Sequence, residues 1–322
     1  MAPLLRCLGF VLLFIWLGAA HARDFPTRPL SLIVGFSAGS GTDIKARLLA
    51  DALKDELGQA VVVMNTPGAG STIASAKVAA APADGYTLYF ADSSHALAAS
   101  IYSKLPYDSV KDFSGISLVS STPFLIALNS RMPTSSLAGF VELARASPGK
   151  YSYGSSGVGT TQHLFAETFA RQIGTRFLHV PYKSGTEALQ GVLTGEVDFT
   201  FFAVPPVLQY LDSGKLKTLG VASAVRNPFA PEIPTISEAG LPGFEAATWN
   251  IVLAPRGVPP DVMKTLNGAI NKVVASSHFQ SKMSALGGAT LPIVEPAAVD
   301  RFLSDQVGLW AGVIRAAGVQ PQ

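Results

Sequence analysis

Leu30-Ser-Leu-Ile-Val-Gly-Phe-Ser-Ala-Gly-Ser-Gly-Thr-Asp-Ile-Lys-Ala-Arg-Leu-Leu-Ala50 decides the fold. The apolar run from Leu30 to Val34 reads as a buried strand. A Gly- and Ser-rich loop follows over residues 35–41. Ile44, Leu48, Leu49, Ala52 and Leu53 then recur at helical spacing, which predicts a helix from about Asp43 to Leu57. A strand that ends in a glycine-rich loop and enters a helix is the repeating unit of an α/β sheet.

The pattern continues outward from this unit. Residues 61–64 and 86–90 read as strands, with a Pro67-Gly68-Ala69-Gly70 turn and a helix over about 71–81 between them. A second series starts at Phe124–Leu128, with a helix over about 136–147 and a strand at 151–153. The loop Gly154-Ser-Ser-Gly-Val-Gly-Thr-Thr161 leads into a further helix. Residues 177–181, 197–202, 217–223 and 247–253 read as strands, and 260–286 and 296–316 as helices. Pro228, Pro231 and Pro234 mark a crossover between the two series. Two α/β lobes are therefore expected: 23–123 plus 231–322, and 124–230. Their Gly/Ser/Thr loops, at strand ends and helix starts, would face one cleft. Helix N-termini present free N–H groups and a partial positive charge, so such a cleft suits a small anion without needing Arg or Lys.

Residues 1–22, MAPLLRCLGFVLLFIWLGAAHA, read as a secretory signal peptide. Arg6 supplies the positive start, Leu8 to Leu17 the apolar stretch, and Ala20-His-Ala22 the cleavage site. Export to the periplasm with cleavage after Ala22 is expected. The single cysteine, Cys7, lies in this segment, so the mature chain would have no disulfide, thiolate metal site or Cys nucleophile. Of the 322 residues 48% are hydrophobic and 14% charged, with a formal charge of +2, so disorder is excluded and a large core is available. No basic stripe with interleaved aromatics points to nucleic acid. No H-x-x-H or H-E-x-x-H pattern points to zinc, and no cofactor is expected.

Several motifs admit chemistry. Gly35-Phe-Ser37-Ala-Gly39 matches the G-x-S-x-G elbow of α/β-hydrolases, and His163 or His179 could serve Ser37 as base. Against it, the elbow sits on the first strand with nothing upstream to supply an oxyanion loop. Gly39-Ser-Gly41-Thr-Asp43 starts like a dinucleotide fingerprint but lacks its third glycine, and no G-K-[ST] follows. The simpler reading is a turn exposing backbone N–H groups, with Thr42 or Asp43 capping the helix. Asp43 would fix the loop or accept from a ligand ammonium or hydroxyl. Thr160 or Thr161 would cap the second-series helix. His163, near that helix start, is expected neutral because the dipole disfavours an imidazolium there. Glu196 and Asp198 read as turn acids. Phe36 and Trp249 fit either the core or the cleft.

At these loops the sequence resembles the substrate-binding proteins of tripartite tricarboxylate transporters, the Bug receptor family. The resemblance runs through residues 36–47, 65–70, 83–88, 105–113, 153–163, 179–185, 239–245 and 286–288, nearly the whole mature chain. It implies a two-lobed, type II-like Venus-flytrap fold of the periplasmic-binding-protein kind, with a mixed or parallel sheet in each lobe. It also implies a non-enzymatic receptor, a monomer, that closes on a small carboxylate and delivers it to a two-component membrane permease. Carried over by position, first-lobe contacts would be Phe36, Ser37, Ala38, Gly39, Thr42, Asp43, Ala69, Ser71, Ser93, Ser94 and His95. The second lobe would add Ser155, Gly157, Thr160, Thr161 and His163, with Lys183, Ala203 and Trp249. The chain departs from common family patterns at Ser40, Thr66, Ser71 and Ala203-Val-Pro-Pro206. The last of these makes an apolar wall that favours an aromatic or longer-chain acid over a compact hydroxy-acid. The alternatives are an esterase using Ser37, and a ligand sensor for a membrane signalling protein.

Overall fold

Strand β1 (Leu30–Val34) lies between two parallel neighbours, β2 (Val61–Asn65) and β3 (Thr87–Asp92). The computed structural model describes residues 25–227, 230–316 and 318–320, so the signal segment and Cys7 fall outside the described residues. Side chains alternate across a strand, and β1 uses both faces. Leu30, Leu32 and Val34 pack with Ala46, Leu49 and Leu53 of helix α1 (Gly41–Leu57). Ile33 turns to the opposite face, with Ala74 and Val78 of α2 (Thr72–Ala79). Burial on both faces is why this strand reads as an unbroken apolar run.

Strand β3 also pairs antiparallel with β9 (Ala247–Pro255), and β9 with the 17-residue β4 (Phe113–Asn129). Up to Pro123, β4 pairs with β9. From Phe124 onward it pairs instead with β7 (Phe199–Ala203) and β8 (Leu216–Val221). Strand β7 continues to β5 (Ser152–Ser155), which pairs with β6 (Leu178–Pro181), both in parallel. The order β2-β1-β3-β9-β4-β7-β5-β6 thus holds two mixed half-sheets that share β4, with β10 (Ala289–Thr290) on the first part of β4. Helices α4 (Leu137–Ala146), α5 (Thr161–Gln172), α6 (Gly185–Thr194) and α7 (Val204–Asp212) belong to the second half. Helices α3 (Ser93–Ile101), α8 (Pro260–Ala275), α9 (Ser277–Ala285) and α10 (Pro296–Ala316) belong to the first.

Two chain segments cross between the lobes. One is β4 at Pro123–Phe124. The other is the return at Ala246–Ala247, where Phe124 N–H donates to Ala246 C=O at 2.9 Å and Ala246 N–H to Ala222 C=O at 3.0 Å. The prolines had suggested a return near 230. Instead residues 231–246 pack on the second half-sheet: Val221 N–H donates to Pro234 C=O, Ile236 N–H to Val221 C=O, and Phe244 packs on Phe169 and Phe201. The prolines do not mark the crossing.

Three local expectations differ from the structure. Ser40, not Thr42 or Asp43, caps α1, its side chain accepting from Asp43 N–H. The span 260–286 is two helices, broken where Ser276 turns extended and caps α9 through Phe279 N–H. Residues 93–101, whose polar start masks the helical signal, form α3, because Asp92 caps them through Ser94 N–H at 3.0 Å.

Candidate functional site: the cleft between the lobes

The loops at the carboxyl ends of the strands in both halves face one another. Between them lies a cavity of about 360 Å³. The first lobe contributes Phe36, Gly70 and the start and inner face of α3: Asp92, Ser93, Ser94, Leu97, Ala98, Ile101 and Tyr102. The second contributes Ser156, Val158, Gly159, Thr160 and Thr161. Thr248, on the crossing strand β9, forms part of the wall. A methyl group added at Gly159 would meet Ile101 Cδ1 at 3.1 Å, so the second-lobe loop sits directly against α3. Two helix starts, those of α3 and α5, meet at this cavity from opposite sides, each with hydroxyl side chains. One wall is polar and the other, from Phe36 through Leu97 to Tyr102, is largely apolar.

Each loop is held from beneath. Asp43 is buried and accepts from Gly39 N–H at 2.9 Å, Arg47 Nε at 3.0 Å and Asn65 Nδ2 at 2.8 Å; Asn65 also donates to Phe36 C=O. Burial pushes this carboxyl up, but the bonds from Arg47, Gly39 and Asn65 and the Arg47 charge outweigh it and hold it at about 2. These bonds hold the loop. The loop before α2 carries backbone strain: Ala69 and Ser71 are non-glycine residues at φ 44° and 69°. Gly35 permits this arrangement, because a Cβ there would lie 2.3 Å from Ser71 Cβ.

In the second lobe two histidines hold the loop. His163 Nδ1 accepts from Gly159 N–H at 3.0 Å, so its proton is on Nε2 and the ring is neutral. His179 Nε2 lies 2.6 Å from Ser155 Oγ, which bonds Gly157 C=O and N–H. The two imidazoles stack at 4.3 Å, and His179 stacks on Tyr153 at 4.8 Å. Burial lowers His163; burial and the neighbouring His163 lower His179 to about 4.

Of the residues named from sequence, Phe36, Ser93, Ser94, Thr160 and Thr161 line the cavity. Ser37, Ala38, Gly39 and Ala69 are exposed on the first-lobe loops, with Thr42 half-buried beside them and Gly157 half-buried on the second-lobe loop. Asp43, Ser71, Ser155 and His163 are buried beneath these loops. Four positions lie off the cavity. His95, fully buried, bonds Ser75 Oγ and Ser109 C=O and packs against Tyr107 and Phe113 in the core. Trp249 faces the other side of β9, its indole N–H donating to Gln306. Lys183 is exposed, its backbone N–H on Glu187. Ala203 pairs with Phe124 ahead of α7, so the apolar wall is not there but on α3. Glu196 lies outside the cavity lining, and Asp198 receives Ser152 N–H and Oγ, a structural bond. The esterase reading needs a base at Ser37. Among the described residues none is bonded to its hydroxyl, and His95, His163 and His179 are held elsewhere.

Sequence reasoning missed Asp92, Leu97, Ala98, Ile101, Tyr102 and Thr248. The signal was present as Asp-Ser-Ser followed by an alanine-rich run, an N-cap and helix start. Also missed was Lys45, which is buried. Its ammonium donates to Thr122 Oγ1 at 2.6 Å and Asn250 Oδ1 at 3.3 Å, on the two crossing strands. Burial lowers it to about 8 against the raising charge of Asp92. Among the described residues no His/Cys/Asp/Glu group could hold a metal ion, and no helix is long and apolar enough to cross a membrane.

Two half-sheets joined by two crossing strands, with a cavity at the facing helix starts, define a periplasmic-type solute-binding protein. The model of the tripartite tricarboxylate transporter family receptor matches residues 45–319, and the chain belongs to that family. It is 34% identical to Protein BugT of Bordetella pertussis over 99% of both chains. Among solved structures it is similar to Rpa4515 of R. palustris with adipate, at 33% identity and TM-score 0.77, covering 93% of this chain and 100% of that one. It is similar also to MatC from Rhodopseudomonas palustris with bound malate, at 28% identity and TM-score 0.73, covering 90% and 100%. The periplasmic binding protein BugD is 33% identical at TM-score 0.74, covering 92% and 100%. The family is one of periplasmic solute-binding receptors.

Proposed function

We propose that the mature chain captures a small carboxylate by closing its lobes and delivers it to a two-component membrane permease of the tripartite tricarboxylate type. One observation carries this reading. The starts of α3 and α5 meet at a single cavity from opposite lobes, with Ser93, Ser94, Thr160 and Thr161 around them and, among the described residues, no Lys or Arg on its wall. Helix N–H groups and hydroxyls bind a carboxylate without a cation. A ligand touching both starts binds the closed form better than the open one, which is what drives closure. Ser37, Ala38, Gly39, Thr42, Ala69 and Gly157 come onto the ligand as the cleft narrows. Asp43, Ser71, Ser155 and His163 support their loops.

The ligand is a di- or tricarboxylate, an aromatic acid or an acidic amino acid. The apolar wall of Phe36, Leu97, Ala98 and Ile101 favours an acid with a methylene chain or a ring over a compact hydroxy-acid. The ligands of the two R. palustris proteins, adipate and malate, span that range. The test is a thermal-shift panel on residues 23–322 after unfolding and refolding to strip bound ligand. A ligand that binds only the folded state raises stability with the logarithm of its concentration over Kd. Acids with a chain or ring should give the largest shifts. Malate or citrate ranking first would contradict the preference, and no shift with any acid would contradict the carboxylate reading.

A further inference from the structure

Among the described residues, Asp92 is the only one lining the cavity whose side chain carries a formal charge, and that charge has the sign of the proposed ligand. Capping α3 does not require it, since Ser, Thr or Asn caps as well as Asp. Asp92 accepts from Ser94 N–H at 3.0 Å. Among the described residues no basic side chain lies within ion-pair distance of it. The cation acting on it is Lys45, and Lys45 spends its hydrogen bonds on Thr122 and Asn250. Asn250 is the register partner of Asp92 across β3 and β9, and Lys45 is buried and does not line the cavity. Burial drives the Asp92 carboxyl up to about 6, against the Ser94 bonds and the Lys45 charge that lower it.

A carboxylate kept in a partly buried wall without an ion pair is costly, and such groups concentrate at functional sites. Facing a bound acid it also repels. Both costs turn to gains if the ligand brings a donor to it, because a charge-assisted hydrogen bond in a water-poor cavity is a strong one.

We propose that Asp92 is the specificity determinant of this cleft, selecting carboxylates that carry a hydrogen-bond donor, an ammonium before a hydroxyl, over unsubstituted acids of the same length. This rests on the carboxylate reading of the site. The acid group occupies those donors of the α3 and α5 starts that Asp92 and Gly157 C=O leave free, and the donor group occupies Asp92. The apolar wall takes the chain or ring between.

Titration calorimetry with matched pairs tests this: adipate against 2-aminoadipate and 2-hydroxyadipate, succinate against aspartate, and 3-phenylpropionate against phenylalanine. In the pair the cavity fits, the amino acid should bind at least tenfold more tightly than its parent, with the hydroxy acid between. Asp92→Asn keeps the cap and removes the charge. It should erase that ratio, chiefly by weakening the amino acid, while the free protein melts no lower than wild type, because a costly unpaired charge is gone. Asp92→Ser, a second capping residue, should behave alike. A parent acid that binds as tightly as its amino partner in every pair overturns the proposal and leaves the carboxylate reading standing. So does a ratio unchanged in Asp92→Asn. No binding by any acid overturns both.

Discussion

Gly35→Ala tests how the first-lobe loops are built. A Cβ on Gly35 would lie 2.3 Å from Ser71 Cβ and 3.0 Å from Ser71 Cα. Carbon atoms settle at about 3.5–4.0 Å, so the end of β1 and the 68–71 turn must part by more than about 1 Å. The turn cannot follow easily, because Gly70 and Ser71 are both in the left-handed region, at φ 57° and 69°. Overpacking of this kind costs about 1–3 kcal/mol. At about 2–4 °C per kcal/mol for chains of this order, the melting temperature should fall by roughly 2–12 °C, measured by calorimetry. Gly70 lines the cavity, so acid binding should weaken as well. The decisive variant is Gly35→Ala combined with Ser71→Gly. Glycine removes the opposing Cβ and accepts φ 69° without strain. The pair should therefore recover most of the loss, a coupling of about 1 kcal/mol or more. If the two losses simply add, the contact is not what excludes a side chain at position 35, and the reasoning fails.

Other outcomes follow from the same geometry. Thr161→Val removes a hydroxyl at the α5 start and should weaken acid binding by about 1–2 kcal/mol in calorimetry, with little change in melting temperature; unchanged affinity would remove Thr161 from the site. His95 is neutral in the fold, its pKa lowered to about 4 by burial and only partly restored by Ser109 C=O, while unfolded it titrates near its ordinary 6.5. The unfolded chain therefore binds the extra proton, and stability should fall as pH drops from about 6.5 to 4. His95→Gln should flatten that slope by up to one proton, about 1.4 kcal/mol per pH unit in urea titrations; an unchanged slope would contradict it. On the back of the crossing strands, where Trp249 and Ser121 face away from Thr248 and Thr122, Trp310 of the first lobe packs on Phe165 of the second at 5.7 Å. In the proposed closure, pivoting on these strands, that face opens. Trp310→Ala should thus cost about 3–5 kcal/mol of stability yet tighten apparent acid binding, because the closed form becomes more populated. Weaker binding would place the contact in the closed form instead.

The strand–loop–helix units were legible because a strand buried on both faces is written as an apolar run and a Gly/Ser loop as its exit. The cleft followed from them, since ligands bind outside the carboxyl ends of such strands. What stayed hidden depends on long-range pairing. Residues 113–123 mix apolar side chains with Ser and Thr and show no clean strand pattern, yet they form the first part of β4, because Ser117, Ser120 and Thr122 find partners in Asn267, Asn250 and Lys45. Leu97, Ala98 and Ile101 were lost with α3, and with them the apolar wall, which was placed instead at Ala203. His95 sits next to Ser94 in sequence, but on a helix consecutive side chains diverge, so Ser94 meets the cavity and His95 the core. The side of the ribbon that Trp249 takes is likewise a matter of register.

The central claim is capture by closure, and an inter-lobe distance measures it directly. The chain from residue 23 contains no cysteine, so Lys77→Cys on α2 and Thr186→Cys on α6, both exposed and off the cavity, give a unique pair for fluorescent labels. With the tightest acid of the panel, energy transfer between the labels should rise to a shorter-distance plateau at the concentration that saturates calorimetry. An acid that binds at the cleft and leaves the distance unchanged would contradict the account.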